Sequence, residues 1–262
     1  MKNWEDFEIE CTNYLIKNYG QYAKFTHKGG SDSTVPDIYV ETPSGSFYID
    51  AKHTPAQCGQ FVLIPDIETS TFEYSKQNAS PINTYAQKIM KHMDKSFDEY
   101  REAGTAGKTI NMSGDQDIFS NWIINYYKEK GTKYFITNNY LILPIERFRN
   151  YFDIIATYRI KRSGSSNVGK KRIPIVRDYI TSQNYVIQSF HTQNDKLFVA
   201  SNEQLHDKRF ILQEYEYMFS LRGTEFEIRK LSNTYNANVI FSIQLKDNVI
   251  GLSSQEFIEA LK

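Results

Sequence analysis

Residues 36–52, PDIYVETPSGSFYIDAK, alternate apolar and polar side chains on either side of a four-residue turn, and this pattern commits the segment to a β-hairpin with one buried face. Ile38 and Val40 share a face on the first strand, as do Phe47, Ile49 and Ala51 on the second. Between them TPSG puts proline at the second and glycine at the fourth turn position, as a type I turn prefers. With Thr42 opposite Gly45, counting back along both strands sets Asp37 opposite Asp50, and opposed residues project to the same face. A bulge at Gly45 would slip this register by one residue. In the unslipped register Asp37, Asp50 and Lys52 converge.

Two carboxylates brought together repel, so such a site either shifts a pKa or holds a cation. A divalent ion that favours oxygen ligands, such as Mg²⁺, needs one or two carboxylates and completes its sphere with water and substrate phosphates. A neighbouring lysine can orient or deprotonate a water, or stabilise charge developing at phosphorus. These are the parts of a metal-dependent phosphodiesterase. Taken singly, each residue also has a plainer role: Asp50 and Lys52 would suit an ion pair on a solvated edge strand, and Asp37 the start of a strand after proline.

The chain around this hairpin reads as a globular protein. Its 262 residues, 40% hydrophobic and 15% aromatic, are enough for a sizeable core. No apolar run approaches membrane-spanning length and the start, MKNWEDFEIE, is acidic, so a cytoplasmic location without membrane association is expected. Cys11 and Cys58 have no CxxC spacing and are expected to be reduced packing residues. The five histidines show no metal-ligand spacing. Acidic and basic residues balance at 31 each, so a nucleic-acid surface must come from local asymmetry. Such asymmetry exists: from Ile154 to Arg177 there are seven basic residues and no acidic one, around the flexible stretch SGSSNVG. It would suit a phosphate backbone, or equally a solvated loop between strands.

Residues 3–20 predict a first helix, with Asn3 as N-cap, acids in the first turn and Gly20 at the stop. Glu8 falls on its apolar stripe of Trp4, Phe7, Cys11 and Leu15, pointing inward or along the rim, though a first-turn acid also suits the helix dipole. AKFTH predicts a short strand and KGGSDSTVP a loop. Residues 83–104 predict one long helix and 116–131 another, followed by strands at KYFITN and YLILPI and a helix at ERFRNYF. From residue 156 strands dominate: ATYRIKR, YVIQSF, KLFVAS, RFILQEYEYMFSL, TEFEIRKL and VIFSIQLK, before a closing helix at SQEFIEALK. A boundary near residue 155 separates 1–155 from a strand-rich 156–262, although both parts could share one sheet.

Pro36-Asp37 followed by Asp50-Ala51-Lys52 resembles the signature of the PD-(D/E)XK nucleases, and the likeness covers residues 4–65. Phe7-Glu8 resembles the family's helix-borne glutamate. The loop KGGSDSTVPDI is similar to the one that enters the motif in Holliday-junction resolvases and many restriction endonucleases. PD or DxK alone is weak; their combination with the helix acid, the loop, the hairpin spacing and the alternation is far more specific.

The resemblance implies an α/β restriction-endonuclease-like core, a mixed central sheet flanked by helices, with a β-rich C-terminal half. It implies Mg²⁺ held by Asp37, Asp50 and the Ala51 carbonyl, Lys52 placing the attacking water, and Glu8 supporting a water or second ion. Gln60 matches a neighbourhood where many members keep a further polar active-site residue. Hydrolysis would be in line and leave 5′-phosphates. Ser31 and Ser33 are candidates to touch a phosphate. Lys161, Arg162, Lys170, Lys171 and Arg172 are the DNA-contacting set expected of 156–262 as the recognition region.

The chain length points to a type II restriction endonuclease cutting double-stranded DNA at a specific sequence. The alternatives are a junction resolvase, a modification-dependent nuclease, or a non-catalytic DNA-binding protein on the same fold. A palindromic target would call for a homodimer, and such a system includes a cognate methyltransferase that is not a stable partner.

Overall fold

The computed structural model describes residues 4–29, 35–162, 164–232 and 235–262. In chain order the first elements are α1 (Trp4–Tyr19), β1 (Lys24–His27), β2 (Ile38–Thr42), β3 (Gly45–Lys52), β4 (Ala56–Asp66) and β5 (Thr71–Tyr74). Next come α2 (Thr84–Asp94), α3 (Phe97–Arg101), β6 (Lys108–Thr109), α4 (Asp115–Glu129), β7 (Thr132–Thr137), β8 (Ile142–Pro144), α5 (Phe148–Tyr151) and β9 (Phe152–Arg162). The remainder is β10 (Ser165–Asn167), α6 (Ile173–Ser182), β11 (Ser189–Gln193), β12 (Lys196–Ala200), β13 (Arg209–Leu212), β14 (Tyr215–Arg222), β15 (Glu225–Leu231), β16 (Tyr235–Leu245) and α7 (Ser254–Leu261). Asn3, the expected N-cap, and Ser31 and Ser33 lie outside the described residues.

The chain divides into two compact units, residues 1–160 with 237–262, and residues 161–236. This is not a single cut near residue 155. β16 brings the chain back into the first unit, where it pairs with β4 from Asn238 opposite Val62 to Ile243 opposite Ala56. The strand-rich C-terminal part therefore serves both units.

In the first unit a mixed sheet runs in the order β1–β2–β3–β7–β8. Its central pair, β3 and β7, is parallel, with Asp50 beside Phe135 and Lys52 beside Thr137, and the other pairs are antiparallel. Phe47, Ile49 and Ala51 of β3 pack with Phe7, Cys11 and Leu15 of α1 and with Phe257 and Leu261 of α7. A Ser253–Glu256 capping box starts α7. Phe135 and Leu143 belong instead to a larger core with α2, α4 and a second sheet ordered β5–β4–β16–β9–β6. Trp122 and Phe61 are fully buried there, and each such side chain stabilises the fold by about 1.5–3 kcal/mol.

Several expected elements differ in extent. The helix expected over 83–104 is two, α2 and α3, because Asp94 turns its Oδ1 to accept the Phe72 N–H (2.8 Å) and Phe97 packs on the Phe72 ring. The strand expected over 209–221 is a hairpin, β13 and β14, turning at Gln213 with φ 58°. The stretch expected as a flexible basic arm holds β10, paired with β15, and then α6. Of YVIQSF only the last two residues enter β11.

In the second unit the sheet order is β11–β12–β15–β14–β13, with β10 on β15, and Val176 and Ile180 of α6 pack with Leu197, Phe219 and Ile228. No helix among the described residues is long and apolar enough to cross a membrane.

Candidate active site

The β2–β3 hairpin runs in unbroken register from Thr42 opposite Gly45 to Ile38 opposite Ile49, so Asp37, one residue before β2, stands across from Asp50. Asp37 Oδ2 accepts the Ala51 N–H at 2.8 Å, which ties the loop carboxylate to the central strand. Burial, and then the Asp50 charge, push the Asp37 carboxyl up to about 8, against the opposing pull of Lys52 and the Ala51 N–H. Asp50 is buried, and its Oδ1 forms an ion pair with the Lys52 ammonium while receiving no directional hydrogen bond from any described residue.

Burial alone would lower the Lys52 pKa, and the charges of Asp50 and then Asp37 outweigh it and hold the ammonium above its ordinary value. Lys52 is thus held as a cation between the two acids in the metal-free chain. Its surroundings come from far along the chain. Its Nζ lies 5.6 Å from the ring centroid of Tyr127 on α4, and both Lys52 and Tyr127 sense the buried Cys58 of β4. Desolvation raises the Cys58 thiol to about 12 and Tyr127 well above its usual value, so both stay neutral.

Glu8 is buried on α1, and its Oε2 pairs with His27 Nε2 of β1 at 3.2 Å. Burial raises its pKa, the His27 interactions oppose this, and the charge of Asp50 adds to the rise, which places Glu8 within electrostatic reach of the acids. A side chain at Gly29 would run into Glu8 Oε2 and His27 Nε2, so the strand end lies directly against this carboxylate and a larger residue would push it aside. Lys28 and Gly29 N–H groups both donate to the Asp37 carbonyl, at 2.7 and 3.0 Å. The β1 exit, Glu8 and Asp37 therefore form one connected edge.

Not every expected residue joins this cluster. Gln60 is exposed on β4, accepts a hydrogen bond from Gln57 (3.1 Å), and lines a separate cavity with Tyr74, Trp122 and Tyr126. It makes no hydrogen bond to Asp37, Asp50 or Lys52, because a register shift against β16 between Gln57 and Gln60, with Gly59 at φ 94°, breaks the strand's alternation and leaves Cys58 buried and Gln60 exposed. In the second unit Lys161, Lys170 and Lys171 are exposed, and Arg162 ends β9. Arg172 is not a free surface cation: its Nε donates to Tyr217 Oη (2.6 Å), its Nη2 to Gln213 (3.1 Å), and it stacks on Tyr215 at 4.3 Å. His27, Tyr127 and Cys58 are members of the site that sequence reasoning missed. Only His27 carried a signal, as the last strand residue before the Gly/Ser loop.

Among the described residues no three His, Cys, Asp or Glu side chains are arranged to hold a metal ion, so the candidate centre is one of two carboxylates. Its chemistry fits a divalent cation that takes oxygen ligands. The buried Asp50 Oδ1 lacks a directional donor, and burial together with the Asp50 charge holds the Asp37 carboxyl well above its ordinary value, a conflict that a cation between the two acids would relieve. Mg²⁺ needs only one or two protein carboxylates.

A search of solved structures matches the chain to HhaI endonuclease in complex with DNA, determined at pH 6.0. The TM-score is 0.74, at 42% sequence identity over 99% of this chain and 99% of that one. No protein-family model matches the chain, and no curated protein does.

Proposed function

The chain belongs to the HhaI endonuclease family, and from that premise we propose that it cuts DNA at the Asp37–Asp50–Lys52 centre with Mg²⁺ as cofactor. It is a type II restriction endonuclease, a site-specific enzyme of double-stranded DNA. The observation that carries the assignment of the centre is the opposition of Asp37 and Asp50 across an unbroken hairpin register, beside a lysine that stays charged.

Asp37 and Asp50, with the Ala51 carbonyl, would hold the ion. When bound, Mg²⁺ supplies the positive charge that activates a water and offsets charge on the scissile phosphate. Lys52 donates from its ammonium to the attacking water or to a non-bridging phosphate oxygen, fixing the line of attack and stabilising the negative charge that develops. Glu8, oriented by His27, orders water at the rim or supports a second ion. In-line attack opposite the 3′-oxygen leaves a 5′-phosphate and a 3′-hydroxyl. Gln60 takes no part in this reading.

Residues 161–236 supply base readout and phosphate contacts, with exposed Lys161, Lys170 and Lys171 as phosphate donors. The match extends over this unit as well as the core, which separates the chain from a small junction resolvase. The described residues of one chain hold one such centre, so simultaneous cutting of both strands of a palindrome takes two copies, and a companion methyltransferase protects the host's own sites. Such an enzyme works in the cytoplasm, where it meets incoming DNA.

The test is incubation of the purified protein with mixed-sequence phage DNA, with Mg²⁺ or EDTA, beside Asp50→Ala. Discrete fragments from wild type with Mg²⁺ alone are expected, with 5′-phosphate ends. Equal fragments in EDTA or from Asp50→Ala would overturn the assignment of the centre. Sedimentation with and without target DNA gives the number of copies.

A further inference from the structure

In the second unit, β14 ends at Arg222 and a two-residue turn leads to Glu225 on β15, with Gly223 at φ 63° supplying the left-handed backbone the turn needs. Glu227, two residues on, is a carboxylate in mid-sheet, opposite Ser220 on one side and Phe198 on the other. Its side chain is only 4% exposed. Its two oxygens go to two arginines: Oε1 to Arg229 Nη1 at 2.6 Å and Oε2 to Arg222 Nε at 3.2 Å. Burial acts to raise the Glu227 pKa, but the hydrogen bonds from Arg229 and Arg222 prevail and keep it ionised.

The two arginines differ in what remains free. Arg229 has all three nitrogens engaged, its bonds besides that to Glu227 going to Ser165 Oγ (3.0 Å), the Ser165 carbonyl (2.6 Å) and Asn167 Oδ1. Arg222 is 57% exposed and uses only Nε, so its terminal nitrogens take no acceptor among the described residues. A buried ion network is a poor way to gain stability, since apolar residues of like volume commonly do as well. What it accomplishes here is orientation: Arg229 fixes Glu227, and Glu227 fixes the plane of the Arg222 guanidinium, leaving its fork pointing away from the network. A phosphate also accepts from such a fork, but a mobile point charge serves it as well and needs no buried carboxylate to hold it. A fork locked by a buried carboxylate suits a partner with two acceptors in one plane, and in the major groove that partner is the O6/N7 edge of guanine. Arg172 offers no such fork, since Tyr217 and Gln213 occupy it.

We propose that Arg222, held by Glu227, reads a guanine in the target site. The inference rests on the endonuclease reading and assigns a specificity-determining residue within it.

The experiment first locates the target by sequencing the ends made by wild type, then measures kcat/KM on duplexes with each guanine replaced in turn by 7-deazaguanine, which lacks the N7 acceptor. Wild type should lose activity at one guanine in particular. Arg222→Ala should lose roughly 5- to 150-fold on the unmodified target and be indifferent to 7-deazaguanine at that position, with affinity for non-target DNA unchanged. Arg222→Lys, which keeps the charge but not the fork, should fall nearly as far as alanine. Glu227→Gln, if it folds, should lose activity on the target and not on non-target binding. The proposal is overturned if Arg222→Ala cleaves like wild type, if lysine restores activity, or if Arg222→Ala weakens target and non-target DNA alike and lowers the salt slope by about one, as a phosphate contact would. Absence of any cleavage by wild type would count against the endonuclease reading itself, not against Arg222 alone.

Discussion

The ammonium of Lys52 on the central strand lies 5.6 Å from the ring centroid of Tyr127, a residue buried on α4. A desolvated cation over an aromatic face gains about 2 kcal/mol, so the ring fixes the lysine as well as enclosing it. Tyr127→Phe keeps the face and should retain near-wild-type single-turnover rates. Tyr127→Leu should slow cleavage by about 10- to 30-fold, which corresponds to that energy. Equal rates for the two variants at equal melting temperature would refute a positioning role for the ring.

Metal binding at the centre should be proton-linked through Asp37. An unfolded aspartate titrates near ~3.9, whereas Asp37 in the folded, metal-free chain titrates at about 8. Between these values the folded state keeps a proton that the unfolded state has lost, so the Asp37 contribution to stability is present at low pH and is lost as pH rises through 8. A divalent cation displaces that proton, so its apparent affinity should climb by up to about tenfold per pH unit and level off above pH ~8. Calorimetric titration with Mg²⁺ at pH 6, 7, 8 and 9 measures this. Asp37→Asn should flatten the stability profile, and an affinity independent of pH would contradict the linkage.

Lys52 is the cation that compensates two opposed acids. Its replacement by methionine, similar in length, should abolish cleavage while leaving DNA binding, and should destabilise the metal-free chain by about 3–5 kcal/mol, as breaking a buried ion pair does. Mg²⁺ should recover part of that loss by taking over the compensation. Urea unfolding with and without the ion reads both effects; no recovery would mean that the ion does not bind between these carboxylates.

Glu8 is held from two sides, by His27 at 3.2 Å and by the close approach of Gly29. His27→Ala releases it and Gly29→Ala displaces it, so both should lower kcat several-fold with little change in melting temperature, the moving atom being the end of a flexible side chain. In a double-mutant cycle His27→Ala and Glu8→Gln should couple by about 0.5 kcal/mol or more. Strict additivity would show that the histidine does not orient the acid.

The hairpin and its acids were legible because they depend on near neighbours. Period-two alternation, a Pro-Ser-Gly turn and a count of residues place Asp37 across from Asp50, and helical spacing puts Glu8 on the inner stripe of α1. Where the local signal was ambiguous the reading went astray. Gln213 takes a positive φ without the glycine or asparagine that announces such a turn, so β13 and β14 read as one strand. The break between α2 and α3 depends on Asp94 reaching Phe72, 22 residues away. What surrounds Lys52 was decided only by tertiary packing: Tyr127 and Cys58 arrive on α4 and β4, and their ring and thiol look from sequence like any core residue. The return of β16 to β4 is equally non-local, pairing residues such as Ile240 and Gln60 across most of the chain. Periodicity states which face a side chain takes, and only the closing of long loops settles what that face meets.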